Sequence, residues 1–458
     1  MKFKVLLMAS IITTLSSTAQ YTKLHDFNSF DSGAYPYYAT PITDGVYLYG
    51  TASNGGLNFD GTIYRIKKDG TEFTKLLDFD ENVNGYVPKS SLILIDDFLY
   101  GTTEFGGENN EGTVYRIKTD GSEFSTLVSF TNAVNGRNPR GSLFYDGTYI
   151  YGVTTSGGAN LGGTIYKCLP DGSDLQVVFP FSNDMTTGRS GNSHLISDGE
   201  YFYGMTASGG ELNQGVVFRV LPDGTGYENL LEFNDDPYGT VAYGGLVYDG
   251  VEYMYGMTNT GGEYNRGTIF KIKTDGSGYV KLRDFNNSDG AQPMGTLIIV
   301  DNIIYGMTEL AGNDAHGNMF SIGLDGSNFT TIIDFDGITG SLPIASLLYD
   351  NGAFYGFTNS GGANSSGVIF RYGDLIDGVN ENKTNELSIY PSPVMDYFII
   401  NTNPNTAIEI YNATGTLVSS IIANSSQSRV SVEELSSGVY VVKTSNGGEV
   451  KTGRVVID

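Results

Sequence analysis

Nine residues before most copies of a recurring Tyr-Gly dipeptide stands a small residue: Thr40, Ser91, Ser142, Thr296 and Ser346, with Gly245 at the equivalent place after one inserted residue. One member of the series is a histidine, His194. An imidazole among hydroxyls can serve as a general base or a ligand near neutral pH. Spacing assigns it no partner carboxylate, so catalysis at His194 ranks behind a steric reading in which small residues line the place where strands converge. The other histidines, His25 and His316, are too few and too scattered to complete a multi-histidine zinc site. His25 is expected on an outer edge, because other units carry Leu77, Val128 or Arg283 there.

Two further groups of residues have chemical potential. Asp80, Asn82 and Asn84, in Asp80-Glu81-Asn82-Val83-Asn84-Gly85, fit the first half of a calcium loop. Ser91 stands where the bidentate Glu belongs, and the next unit's Thr131 loses the first Asp, so the stretch reads first as a turn and second as a calcium site. Tyr35, Tyr37, Tyr38, Tyr86, Tyr238 and Tyr243 lie in the loops between units, with amides nearby. Aromatic faces and amides suit sugar or peptide binding, and the competing reading packs these rings on their neighbours. Tyr86, Arg137, Arg189, His194, Tyr238 and Tyr243 form the expected ligand-binding set. No cofactor other than calcium is implied, and no nucleophile elbow, phosphate loop or dinucleotide fingerprint stands in convincing context.

The frame that must position these residues is all-β. The 458 residues include 62 Gly and 32 Tyr, no Trp and 17% charged residues, too much Gly for long helices and too much aromatic content for disorder. A formal charge of −25 argues against nucleic acid or an anionic membrane as partner. Lys2 and Lys4, the apolar run Val5 to Leu15, and Ser17-Thr18-Ala19 read as a secretory signal over residues 1–19. No later stretch reaches the ~18 apolar residues that a transmembrane helix needs. The single cysteine, Cys168, replaces Ile or Val of other units and reads as a buried small hydrophobe.

Tyr-Gly recurs at Tyr49, Tyr100, Tyr151, Tyr203, Tyr255, Tyr305 and Tyr355, a period of about 50 residues that marks a propeller or array. Each unit holds four short apolar runs bounded by turn residues, such as Ser91–Ile95, Phe98–Tyr100, Thr113–Ile117 and Phe124–Leu127. Asp-Gly follows the third run at Asp69, Asp120, Asp171, Asp223, Asp275 and Asp325, which suits a tight hairpin. Tyr21–Phe27 matches a fourth strand, Phe73–Phe79, and the last unit stops after its third, Val368–Tyr372. One end therefore supplies what the other lacks, as in a ring that removes its sheet edges. The expected fold over residues 20–372 is a seven-bladed β-propeller closed by the N-terminal strand.

Tyr255-Gly-Met-Thr-Asn-Thr-Gly-Gly262 and Arg266-Gly-Thr-Ile-Phe-Lys-Ile-Lys-Thr-Asp-Gly276 resemble the Gloeo-Verruco tandem repeat family, and the likeness spans all seven units. Val216, Asn318 and Val368 replace its Thr, and Ala311 its first Gly. The resemblance implies a propeller-like β array on an exported bacterial protein and carries no settled activity.

Residues 373–386 are polar and aperiodic and read as a linker. Residues 387–458 hold several short strands that suit a small β-sandwich. Tyr390-Pro391-Ser392-Pro393 with Asp396, Ile410-Tyr411-Asn412 with Gly415, and Leu435-Ser436-Ser437-Gly438-Val439-Tyr440 resemble the type A C-terminal sorting domain of the type IX secretion system. That resemblance implies handling by the type IX machinery and passage through the outer membrane, followed by release or anchoring to surface lipopolysaccharide. The chain ends on Asp458, where that family more often ends on a basic residue.

The long loops between units share one face with those between second and third strands, so a ligand is expected there. The leading expectation is an extracellular or outer-membrane-surface binding protein for a glycan or peptide. Its rivals are a polysaccharide lyase or hydrolase near His194, and a structural surface component.

Overall fold

A computed structural model describes residues 19–236, 238–310 and 315–373, together with 387, 389–390, 397–401, 406–412, 416–423, 427–432, 435–436, 438–446 and 449–457. Residues 1–18 of the expected leader, positions 374–386 of the expected linker, Ala311, and the sorting-motif residues 391–396, Gly415 and Ser437 lie outside them. The chain divides between Leu375 and Ile376 into two compact units.

In the first unit, each repeat becomes one antiparallel sheet. In the second repeat the strands are Ile93–Ile95, Phe98–Thr103, Thr113–Lys118 and Ser125–Ser129, paired in that order. The first strand starts two residues later than the apolar pattern predicts. The Ser91 N–H donates instead to Ser142 Oγ of the next repeat at 3.1 Å, which takes it out of the sheet. The third repeat adds Arg137–Pro139 to its sheet, paired with Ile150–Ser156. The seventh repeat supplies Leu348–Asp350, Ala353–Thr358 and Val368–Gly373, and the fourth strand of that sheet is Gln20–Asp26. Its register runs from Gln20 opposite Gly373 to Asp26 opposite Val368.

The recurring glycine is required by close packing. A Cβ on Gly50 would lie 2.5 Å from Tyr64 Oη, and one on Gly256 would lie 2.8 Å from Phe270 Cζ. A third-strand aromatic thus rests on the glycine's Cα, and any side chain there would displace it. Those aromatics meet an equally regular partner at the end of the preceding sheet's fourth strand. Phe79 stands edge-on to Tyr115 at 5.3 Å, Phe130 to Tyr166 at 4.9 Å, and Phe335 to Phe370 at 5.4 Å. Phe27, which follows the opening strand, makes the same contact with Tyr64 of the first repeat at 5.1 Å. All of these phenylalanines are fully buried. Burying one ring contributes about 1.5–3 kcal/mol, so the junctions are a main source of cohesion between sheets.

Loops repeat as faithfully as strands. The Asp69 carboxylate accepts the Thr71 N–H at 2.9 Å, and Asp120, Asp171, Asp223, Asp275 and Asp325 do the same two residues on. These hydrogen bonds hold the carboxyls below their usual pKa. The fourth-strand Asp78 caps its sheet's Gly-Gly loop by accepting the Leu57 N–H at 2.9 Å. Asp26 on the opening strand performs that service for Ala363 in the seventh repeat, at 2.8 Å. Cys168 is fully buried, which pushes its thiol pKa up to about 12.

The second unit contains a three-stranded sheet (Ile389–Tyr390, Tyr397–Asn401, Gln427–Ser431) and a four-stranded one, in spatial order Leu417–Ile422, Ala407–Asn412, Gly438–Asn446, Glu449–Ile457. Phe398, Ile400, Ile408, Ile410, Val442 and Val455 fill its core. Across the described residues the protein is all-β, with many four-stranded antiparallel sheets and no helix long and apolar enough to cross a membrane.

Candidate functional site

The series that opened the sequence reading converges. Thr40, Ser91, Ser142, His194, Gly245, Thr296 and Ser346, one from each repeat, line a single cavity of about 200 Å³. Neighbouring repeats are stitched together there. The backbone N–H of Thr40 donates to Ser91 Oγ at 2.7 Å, and that of Ser91 to Ser142 Oγ. Gly245 N–H donates to Thr296 Oγ1 and Thr296 N–H to Ser346 Oγ, each at 2.7 Å. Small hydroxyl residues are therefore needed for more than space, because Ser91, Ser142, Thr296 and Ser346 each accept a bond from the repeat before.

Four of the seven steps are stitched in this way; the steps after Ser142, His194 and Ser346 are not, and at the first two the residue types change. Ser142 has a histidine after it rather than a hydroxyl, and His194 has a glycine. The His194 ring lies over Gly245, where a Cβ would fall 2.6 Å from Nδ1 and 2.9 Å from Nε2. The imidazole lines the cavity half-buried, and desolvation lowers its pKa to about 4. At neutral pH it is an uncharged hydrogen-bonding group.

Two residues upstream of this inner series lies a second one: Tyr38, Lys89, Arg140, Asn192, Tyr243, Met294 and Ile344. Tyr38, Arg140, Asn192, Tyr243 and Met294 line the cavity. Most repeats that carry the Pro have three residues from it to the inner position, as in Pro88-Lys89-Ser90-Ser91; the first has four, Tyr37-Tyr38-Ala39-Thr40 after Pro36. Tyr38 absorbs the extra residue with φ 52°, an uncommon conformation for an aromatic. Its ring stacks against Tyr243 of the fifth repeat at 6.2 Å. Burial, reinforced by Tyr37 and Tyr243 and opposed by Arg140, puts the Tyr38 hydroxyl well above its usual pKa.

Arg140 is fixed from behind. Its Nε donates to Glu104 Oε1 at 2.8 Å and its Nη2 bonds the same oxygen. Lys89 Nζ sits 2.7 Å from Glu104 Oε2 and 4.9 Å from the Tyr37 ring centroid. Glu104 is 1% exposed, so a buried carboxylate between two cations holds the guanidinium at the cavity wall.

Of the expected ligand-binding residues, His194 and Tyr243 meet in the cavity. The others are engaged elsewhere. Tyr86 stacks on Phe105 at 5.2 Å, and Tyr238 stands edge-on to Tyr279 at 4.6 Å. Arg137 Nε donates to Ser156 Oγ, while Arg189 donates to Asn213 Oδ1 and Asn183 Oδ1. His25, expected on an outer edge, is half-buried and stacked on Phe73 at 4.0 Å, and burial lowers its pKa. Asp80 accepts the Asn82 N–H at 2.9 Å and Asn84 Oδ1 accepts the Asp80 N–H at 2.7 Å, so their side chains close their own turn. Thr131 N–H to Asn135 Oδ1 repeats that closure at 2.7 Å, which marks the loop as a structural element of the repeat. Among the described residues no group of three or more His, Cys, Asp or Glu is placed to hold a metal ion.

Sequence reasoning passed over Arg140, Glu104 and Lys89. The upstream series was readable as a position of divergent residue types just before a position of small ones.

Residues 10–160, 84–252 and 230–379 match the Gloeobacter/Verrucomicrobia repeat, and the chain belongs to that family. Residues 388–458 match the secretion system C-terminal sorting domain, the type IX address that takes its carrier to the cell surface or the extracellular space. No curated protein matches the chain. Among solved structures it is similar to a puromycin-hydrolysing peptidase of Mycobacterium tuberculosis (9% identity over 80% of this chain and 60% of that one, TM-score 0.51). PorZ, a surface component of the type IX secretion system of Porphyromonas gingivalis, aligns at 14% identity over 95% of this chain and 61% of that one, with a TM-score of 0.47. A gluconolactonase of Xanthomonas campestris aligns at 13% identity over 78% of this chain and 90% of that one, with a TM-score of 0.39. The chain spans about three fifths of the length of PorZ and of the peptidase. At these identities the likeness concerns fold alone.

Proposed function

We propose that residues 20–372 form a seven-bladed β-propeller closed by the strand Gln20–Asp26, and that this propeller binds a glycan in the cavity where its repeats converge. Closure rests on the pairing of that strand with Val368–Gly373 and on the Phe27–Tyr64 contact, which repeats the junction found between successive sheets. Delivery by the type IX route brings the cavity to the cell surface or beyond it. The signal peptide over residues 1–19 and the linker over 373–386, less Gly373, which ends the strand paired with Gln20–Asp26, belong to the same reading.

The observation that carries the binding role is the lining itself. Hydroxyls, an uncharged imidazole, an amide and an arginine meet the tyrosine pair Tyr38–Tyr243 around a space that accommodates one sugar ring. Hydroxyl-rich ligands are held by such donors and acceptors, with an aromatic face excluding water. Among the described residues lining the cavity there is no Asp or Glu. Glycoside hydrolysis ordinarily uses two carboxylates flanking the bond, so the lining favours binding over the hydrolase alternative.

A glycan array and a panel of polysaccharide-degradation assays on the exported protein test the reading. Retention of a defined glycan without turnover, weakened by His194→Ala, is the expected result. Turnover abolished by His194→Ala would establish the enzyme instead.

A further inference from the structure

The cavity wall is uneven, and the unevenness is chemical. On one side, the Thr40, Ser91, Gly245 and Thr296 N–H groups are each occupied by the hydroxyl of the following repeat. The Ser142 and His194 N–H groups of the third and fourth repeats make no such bond, since His194 and Gly245 bring no hydroxyl, and the Ser346 N–H of the seventh makes none to Thr40. Asn192, also of the fourth repeat, has a buried amide oxygen without a hydrogen-bond partner, an acceptor suited to a sugar hydroxyl beside the charged group. Arg140, of the third repeat, lines this same stretch. Its Nε and Nη2 are committed to Glu104, and Nη1 is not.

We infer that the third- and fourth-repeat wall is a carboxylate subsite, and that the ligand's terminal unit is an acidic sugar. This rests on the glycan reading above and narrows it. Arg140 is the one charged residue among the described lining. Its uncommitted Nη1 offers charge-assisted N–H donors to a carboxylate, while Nε and Nη2 hold the guanidinium in place on Glu104. Glu104 does not cancel this charge, because Lys89 takes its second oxygen. Two cations face one carboxylate, which leaves a local excess of positive charge in a chain of formal charge −25. The tyrosine pair covers the apolar face of the sugar, and the hydroxyls of the stitched side receive its neutral edge.

The test measures binding of the full chain to methyl glycosides of glucuronic, galacturonic and sialic acid. Each is presented as the free acid, as its methyl ester and, for the hexuronic acids, as the neutral hexose. The expected result is that at least one acid binds about tenfold more tightly than its ester and its neutral counterpart, the scale of a charge-assisted hydrogen-bond pair. Arg140→Gln removes that preference and leaves affinity for the neutral form, whereas Ser346→Ala on the stitched side keeps it. Equal binding of acid and ester by the unaltered protein overturns the inference and leaves the glycan reading intact. Retention of only neutral glycans on the array does the same. Silence of both the array and these glycosides overturns both.

Discussion

His194 and Gly245 come from adjacent repeats and occupy one space: the imidazole lies where a side chain at 245 would have to go. Neither residue fits the hydroxyl pattern by itself, and together they are complementary in size. Gly245→Ser should therefore push the ring off its seat, lowering stability by about 1–3 kcal/mol through overpacking. The double variant His194→Ser with Gly245→Ser should recover much of that loss, because Ser142 and residue 194 would regain acceptors from the next repeat. Additive losses in a double-mutant cycle by thermal denaturation would contradict this coupling.

The His194 imidazole titrates near 6.5 when unfolded and near 4 in the fold. Between those values the unfolded chain takes up a proton that the folded one refuses, so stability from this group is complete above pH ~6.5, falls as pH drops toward 4 and is level below it. Because the ring borders an open cavity, the loss should be about 1–2 kcal/mol rather than the full shift. His25, also depressed, adds loss in the same direction. The difference between the unaltered protein and His194→Ser, followed by denaturant melts from pH 4 to 7, isolates the contribution of His194.

Phe27→Ala should cost about 3–5 kcal/mol, as should Phe335→Ala, since both phenylalanines fill equivalent junctions. Equal midpoint shifts in urea are expected. A silent Phe27→Ala beside a damaging Phe335→Ala would remove the support for closure.

Glu104→Gln leaves Lys89 and Arg140 facing each other without their shared anion. A loss of about 2–4 kcal/mol is expected, as for one member taken from a buried ion cluster. Calorimetry should also register weaker binding of any ligand that Arg140 holds.

Chelation should leave the melting temperature where it is, because Asp80 and Asn84 spend their side chains inside their turn. Asp80→Ala should cost only about 0.5–1.5 kcal/mol, with or without calcium. A calcium-dependent rise in melting temperature that Asp80→Ala abolishes would restore the metal reading.

Much of the fold was legible because the repeat states each rule seven times. Gly50, Gly101 and their counterparts reported a close approach, and the match of Tyr21–Phe27 to Phe73–Phe79 pointed to the strand pairing later found opposite Val368–Gly373. The inner series was legible for the same reason. The upstream series was harder, because the extra residue after Pro36 shifts the first repeat out of register. The Arg140–Glu104 pair joins different repeats, and no local pattern encodes it. Tyr86 and Tyr238 misdirected attention because a loop tyrosine looks the same in sequence whether it faces solvent or, as here, another ring.

Asp26 reaches Ala363 across 337 positions of chain. A polypeptide delivered end-first has either the clasp or its catch available, never both, until nearly the whole array has emerged. In a chain that leads with its N-terminus, Gln20–Asp26 waits without its partner until Val368–Gly373 follows, and an unpaired strand is open to exchange with another molecule. Contacts so distant in sequence carry a large loop-closure cost, so their formation is expected to be a late and slow step of folding.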